Sequence, residues 1–261
     1  KGRALVRADG RLGGGDRLFA LLDAEPGRDS FDLKLDVAAP RGGLLAGLAG
    51  SKSGLALKIG GKGSWRRWDG ALLAERDGAR LAALRLTNLS GRYGALGLVW
   101  PGELLNGLAA RAAGGSVAVA ASGTLKNSVF QGNANLIGEG LALRGSGAAD
   151  LGENRFDAMR YDALVRDPER LFPGARLDGA QLNGTLDGPF RDLTIEHRLT
   201  ATLLTIDQVR IEQLTQEGRA NLRDGALILP LDAAAQRVVT GDASLDSRLA
   251  APSAKGTLTI A

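Results

Sequence analysis

The one histidine, His197, stands in Thr194-Ile195-Glu196-His197-Arg198. A single imidazole allows no His–His metal site, and a strand His between Glu and Arg reads as a solvated face residue rather than a general base. No G-x-S-x-G surrounds a serine, so a nucleophile elbow is absent. The chain has 0 Cys, which excludes a disulfide framework, a zinc–thiolate site and a thiol nucleophile. Gly60-Gly61-Lys62-Gly63-Ser64 resembles the end of a phosphate loop, but Lys62 is followed by Gly63 rather than Ser or Thr, and no helix-forming run comes after it. It reads as a glycine-rich turn. Gly13-Gly14-Gly15-Asp16 is a single imperfect fragment of a calcium-binding repeat that needs tandem copies. Carboxylates are abundant, yet nothing marks two of them as a glycosidase pair, and aromatic platforms for sugars are scarce. The expectation is a non-enzyme with no catalytic residue, metal or cofactor.

Trp65-Arg66-Arg67-Trp68 is the most distinctive tetrapeptide. In a strand, Trp65 and Arg67 would share one face, and Arg66 and Trp68 the other. Two readings fit it. Trp beside Arg suits a membrane interface or phosphate headgroups; the preferred reading is an aromatic packed at a sheet edge with Arg over its ring.

The elements around these residues follow from period-two alternation. Phe31-Asp32-Leu33-Lys34-Leu35-Asp36-Val37 alternates apolar and charged residues, and shorter runs recur at Leu55–Ile59, Leu84–Leu86, Val117–Val119, Leu141–Leu143 and Leu193–Ile195. Successive strand side chains point to opposite faces, so each run presents one apolar face, the mark of half-buried antiparallel strands. Asp-Gly pairs at Asp69-Gly70, Asp77-Gly78, Asp178-Gly179, Asp187-Gly188 and Asp224-Gly225 read as type I′ hairpin turns. Three segments break the pattern as short helices or irregular loops: Leu44–Leu48, Glu103–Ala113, and a stretch opened by Asp167-Pro168, an N-cap residue followed by Pro. The apolar share is 44%, but aromatics are only 4% and Gly numbers 38, so the core must be aliphatic and the turns many. The expected fold is all-β, a long curved antiparallel sheet with a few short helices.

No linker divides residues 1–261, and one continuous repetitive segment is expected. The formal charge of +4 is interspersed rather than clustered, which argues against nucleic acid. Neither a signal region nor a run of membrane-spanning length is present, so the chain reads as a piece of a larger protein whose anchor lies elsewhere.

Gly63-Ser64-Trp65-Arg66-Arg67-Trp68-Asp69-Gly70, preceded by Pro40-Arg41-Gly42-Gly43-Leu44-Leu45-Ala46-Gly47-Leu48, resembles the alphaproteobacterial form of the TamB family. Asp167-Pro168-Glu169-Arg170-Leu171-Phe172-Pro173-Gly174, leading into Leu186-Asp187-Gly188-Pro189-Phe190 and Arg198-Leu199-Thr200-Ala201, is similar to the same family, which shares this texture with AsmA-like proteins. These are strand-and-turn phrases without catalytic signatures. The resemblance implies an inner-membrane-anchored protein crossing the periplasm. It implies a U-shaped, taco-like sheet whose apolar groove conducts phospholipid toward the outer membrane. It also implies cooperation with a TamA-like outer-membrane barrel; open strand edges would in addition permit a role in outer-membrane protein assembly by strand addition.

The residues agree with that expectation on physical grounds. An aliphatic sheet face must be covered by a second sheet or filled by an apolar ligand. Acyl chains gain about 0.8 kcal/mol per buried CH₂ without directional contacts. Roughly 14 to 18 strands spaced about 4.8 Å apart would give a groove on the order of 70 to 85 Å long. The candidate lipid-groove residues are Phe31, Leu33, Leu35, Val37, Leu55, Leu57, Ile59, Leu84, Leu86, Leu141, Leu143, Leu193 and Ile195. Ordinary sheet core is their other reading. The competing function is a structural or adhesive β-solenoid or β-sandwich without ligand.

Overall fold

The computed structural model describes residues 2–48, 51–223 and 226–260. The fold is all-β: eighteen strands and four short α-helices occur among the described residues, and every strand pairing is antiparallel. Contacts group the chain into two units, Lys1–Leu105 with Gly115–Leu125, and Asn106–Gly114 with Lys126–Ala261.

In unit 1 the strands are β1 (Ala4–Arg11), β2 (Arg17–Glu25), β3 (Ser30–Ala39), β4 (Leu55–Gly63), β5 (Arg67–Arg76), β6 (Ala79–Leu89), β7 (Arg92–Val99) and β8 (Val117–Lys126). Each pairs with its neighbour in sequence, a plain meander. Unit 2 has β9 (Val129–Ile137), β10 (Leu141–Asp150), β11 (Arg155–Val165), β12 (Ala175–Asp178), β13 (Gln181–Pro189), β14 (Asp192–Ile206), β15 (Val209–Arg223), β16 (Ala226–Ala234), β17 (Arg237–Val239) and β18 (Ser253–Ile260). Here the long strand β14 takes β13 along one half and the short β12 along the other. Strand β15 likewise pairs with β16 and β17.

The helices sit between strands. Helix α1 (Leu44–Leu48) covers the first expected segment, and α2 (Gly107–Ala113) the C-terminal part of the second, after a 3₁₀ turn at Gly102–Leu104. Helix α3 (Pro168–Leu171) begins as its sequence dictates: the Asp167 carboxylate accepts the Arg170 N–H at 3.0 Å, with Pro168 in the first turn. Helix α4 (Ala243–Asp246) was not anticipated; its signal is Asp242, which caps the N–H groups of Ser244 and Leu245. Among the described residues no helix is long and apolar enough to cross a membrane.

The Asp-Gly expectation holds in one place. Asp77-Gly78 has φ of 49° and 79°, the two left-handed residues of a type I′ turn between β5 and β6. Asp69-Gly70 lies inside β5, Asp187-Gly188 inside β13, and Asp178-Gly179 at a bend; Asp224-Gly225 lies outside the described residues. Other tight turns use Ser90-Gly91 and Asn127-Ser128, again at positive φ. Asp69-Gly70 is paired with β4 on one side and β6 on the other, and its glycine is a packing requirement: a Cβ on Gly70 would stand 2.6 Å from the Gly60 carbonyl oxygen and 2.7 Å from the Trp68 ring.

Candidate functional site: two apolar sheet faces

Residues directly opposite one another in an antiparallel ladder share a face. The registers of unit 1 therefore define one face row by row. Val6, Leu22, Leu33, Gly61, Gly70, Leu86, Ala95 and Ala121 form one row across all eight strands. Ala8, Ala20, Leu35, Ile59, Leu72, Leu84, Gly97 and Val119 form the next. Val37 and Leu57 share a third, and Phe31 pairs with Gly63 in a fourth. With Leu55, which stands opposite Ala39, all nine unit 1 candidates from Phe31 to Leu86 lie on one face. The reverse face carries Asp32, Lys34, Asp36, Lys58, Lys62, Asp69 and Arg85, where Arg85 and Asp69 pair at 2.8 Å.

Unit 2 repeats the pattern. Leu143, Ala163, Leu182 and Leu199 make one row. Leu186, Ile195 and Ala220 make another, with Leu141 opposite Val165 and Leu193 opposite Leu222 on the same face. Leu141, Leu143, Leu193 and Ile195 are therefore brought together within this unit.

Neither face is buried as a core would be. Leu193 is buried, and the other candidates are half-buried. In unit 1 the buried apolar residues described are three alanines, Ala24, Ala39 and Ala46, and Pro101 outside the strands. Besides Pro101, the two buried residues larger than alanine among the described apolar side chains are Leu171 and Leu193, both in unit 2. The chain exposes 16442 Å² for its 27.0 kDa. Two separate compact bodies of half that mass would expose about 13,000 Å² together.

Glycines shape these faces by giving room to the few large side chains. The Trp68 ring lies flat over Gly61 and Gly70: a Cβ on Gly61 would be 2.3 Å from Trp68 Nε1, and one on Gly70 2.7 Å from Cζ2. Phe31 stacks on both tryptophans, 4.7 Å from Trp65 and 6.4 Å from Trp68 between ring centroids. The tetrapeptide is not one strand, since Trp65 and Arg66 form the β4–β5 turn and β5 starts at Arg67. Its aromatic partner is Phe31; the arginines found over rings are Arg7 on Phe19 and Arg80 on Trp100. In unit 2, Met159 Cε covers Gly145 in the same way.

The expectation of a solvated His197 is corrected. Its neighbours Glu196 and Arg198 take the solvated face, where Glu196 pairs with Arg219, whose cation holds the carboxyl below the usual range. Strand parity then turns His197 onto the apolar face, where it is 8% exposed. Its Nε2 lies 2.8 Å from Nε2 of Gln216, also 8% exposed. Gly184 and Gly218 stand opposite it on the two adjoining strands, and Tyr161 follows beyond Gly184. The Tyr161 hydroxyl donates to the Glu196 carbonyl at 3.3 Å, and burial raises its pKa. This polar cluster was missed because a lone His carries no periodic signal; its even spacing from Leu193, Ile195 and Leu199 is the clue.

No cluster of metal-binding side chains occurs among the described residues. Compared with known proteins, the chain matches no protein-family model, no curated protein and no solved structure.

Proposed function

We propose that this chain is a bridge segment of an inner-membrane-anchored periplasmic protein, whose apolar sheet faces bind phospholipid acyl chains and conduct them between the inner and outer membranes. The carrying observation is an aliphatic face in each unit with almost no buried residue larger than alanine. Such a face is stabilised by an apolar ligand, at about 0.8 kcal/mol per CH₂ removed from water. Its aliphatic chemistry is similar from row to row, so a chain gains nearly the same at each step and is not trapped at one. Support for the compartment and for a TamA-like barrel partner acting through the whole protein comes from the resemblance in the sequence alone, and a role in outer-membrane protein assembly would use strand addition at an open edge. No catalysis or nucleic-acid binding is part of this reading.

The test is lipid extraction and native mass spectrometry of the purified chain. Co-purified phospholipid that is lost in Leu57→Asp and Leu143→Asp variants of unchanged strand content supports the conduit. A stable, lipid-free chain that takes up no added phospholipid sinks it, and leaves a ligand-free structural sheet.

A further inference from the structure

One end of the unit 1 strands has a surface of a different kind from the aliphatic face. Three hairpin turns meet there: Pro26–Asp29 between β2 and β3, Ser64–Arg66 between β4 and β5, and Ser90-Gly91 between β6 and β7. Hydrogen bonds tie the turns together. The Trp65 N–H donates to Asp29 Oδ1 at 3.1 Å, Asn88 Nδ2 donates to the Trp65 carbonyl at 3.1 Å, and the Ser90 N–H donates to the Arg66 carbonyl at 2.6 Å.

This end displays large apolar groups to solvent: Trp65 is 53% exposed, Leu89 56% and Tyr93 40%. Beside them stand Arg66, Arg67 and Arg92, all exposed. None of the three has a carboxylate within ion-pair distance among the described residues. The acids at these tips are already engaged, Glu25 by Arg28 at 3.2 Å and Asp29 by the Trp65 N–H. Arg67, Leu89 and Arg92 fall in one row across three strands, so the two arginines stand about 10 Å apart with a leucine between them. The other end of these strands also carries exposed cations, Arg11, Arg17 and Lys52, but they have no exposed ring beside them: Trp100 is half-buried with Arg80 over it, and Arg41 is paired with Asp77.

Exposed aromatic rings interleaved with uncompensated arginines fit a bilayer interface, where rings sit at headgroup depth and guanidinium groups meet phosphate. We propose that the turn end of unit 1, through Trp65, Leu89 and Tyr93 with Arg66, Arg67 and Arg92, docks on the surface of an anionic phospholipid bilayer. The occupant is fixed by charge complementarity together with the exposed rings: three unpaired cations select negative headgroups, and Trp65, Leu89 and Tyr93 beside them add a component that salt does not screen. Docking of this kind stands independently of acyl-chain binding on the sheet face.

The test is flotation of the full chain with vesicles of phosphatidylglycerol and phosphatidylcholine, against phosphatidylcholine alone. The R66Q/R67Q/R92Q variant is compared with R11Q/R17Q/K52Q, which removes the same charge from the other end. Each arginine near an anionic surface is worth about fivefold in partitioning, so the first variant loses on the order of a hundredfold at low salt. The second stays near the parent, and Trp65→Ala weakens the binding that survives about 1 M salt. Equal losses in the two triple variants mean attraction by net charge alone and overturn the proposal, as does failure of the parent to float with anionic vesicles. Circular dichroism and melting confirm that each variant is folded. Lipid carried by the purified R66Q/R67Q/R92Q variant is measured in parallel; it is unchanged if the sheet face binds acyl chains, whatever the flotation result.

Discussion

Replacing Gly61 by Ala sets two effects against each other. Gly61 has no positive φ, and Ala in a strand interior is favoured over Gly by about 0.5–1 kcal/mol. The new Cβ, however, would lie 2.3 Å from Trp68 Nε1 and 2.4 Å from Cε2 and Cζ2. The indole has little room to yield, because its Cζ2 also rests where a Gly70 Cβ would be, at 2.7 Å, and Phe31 stacks against it. Overpacking of this kind costs about 1–3 kcal/mol. The two ranges leave a net loss of about 0–2.5 kcal/mol, with a midpoint of about 1 kcal/mol, a fall in melting temperature of about 2–8 °C at that midpoint for a unit of this size. Gly10→Ala is the internal control, since Gly10 lies on the same face opposite Leu18 and meets nothing within 4 Å. Thermal and urea unfolding, followed by circular dichroism, compare the two. In a Trp68→Leu background Gly61→Ala should cost nothing, so the double-mutant cycle isolates the contact. If Gly61→Ala melts at or above the parent, as Gly10→Ala should, the idea that glycines seat the rings is wrong.

The other expectations concern polar groups. Changing His197 or Gln216 singly to Leu removes the 2.8 Å contact between them and leaves each partner only a long bond to a backbone carbonyl, Gln216 to Pro230 at 3.5 Å or His197 to Ile195 at 3.4 Å, at a cost of about 1–3 kcal/mol, whereas the double change costs less than the two single costs added; urea midpoints test this. Asp77 accepts the Gly54 N–H at 2.7 Å and pairs with Arg41 at 3.0 Å, and these partners, the Gly54 N–H first, lower its folded pKa. A lowered carboxyl pKa adds stability above the unfolded value of about 3.9, and that stability disappears as pH falls through the folded value. Asp77→Asn should thus melt below the parent near about pH 6, with the gap closing below about pH 4.

The strands were legible because the sheet needs only period two, which Phe31–Val37 and Leu55–Ile59 display without interruption. The same parity placed all the unit 1 candidates on one face, since ladder partners keep faces in step from strand to strand. Turn chemistry was less legible. Asp-Gly signals a type I′ turn only when both residues take positive φ, and Gly70 instead makes room for the Gly60 carbonyl and the Trp68 ring. The burial of His197 and the stacking of Phe31 on Trp65 and Trp68 depend on register between distant residues, which no local pattern encodes.

The plain order of unit 1 has a consequence for how it forms. From β1 to β8 each strand binds the one just before it, so no pairing waits for a distant part of the chain. Loop-closure entropy is small at every step, and the sheet can close like a zipper from any hairpin. Stability then behaves as a sum of nearest-neighbour terms. A chain delivered end first, still unfolded, can add each new strand to a growing edge as it arrives, without ever needing its last residues to hold its first.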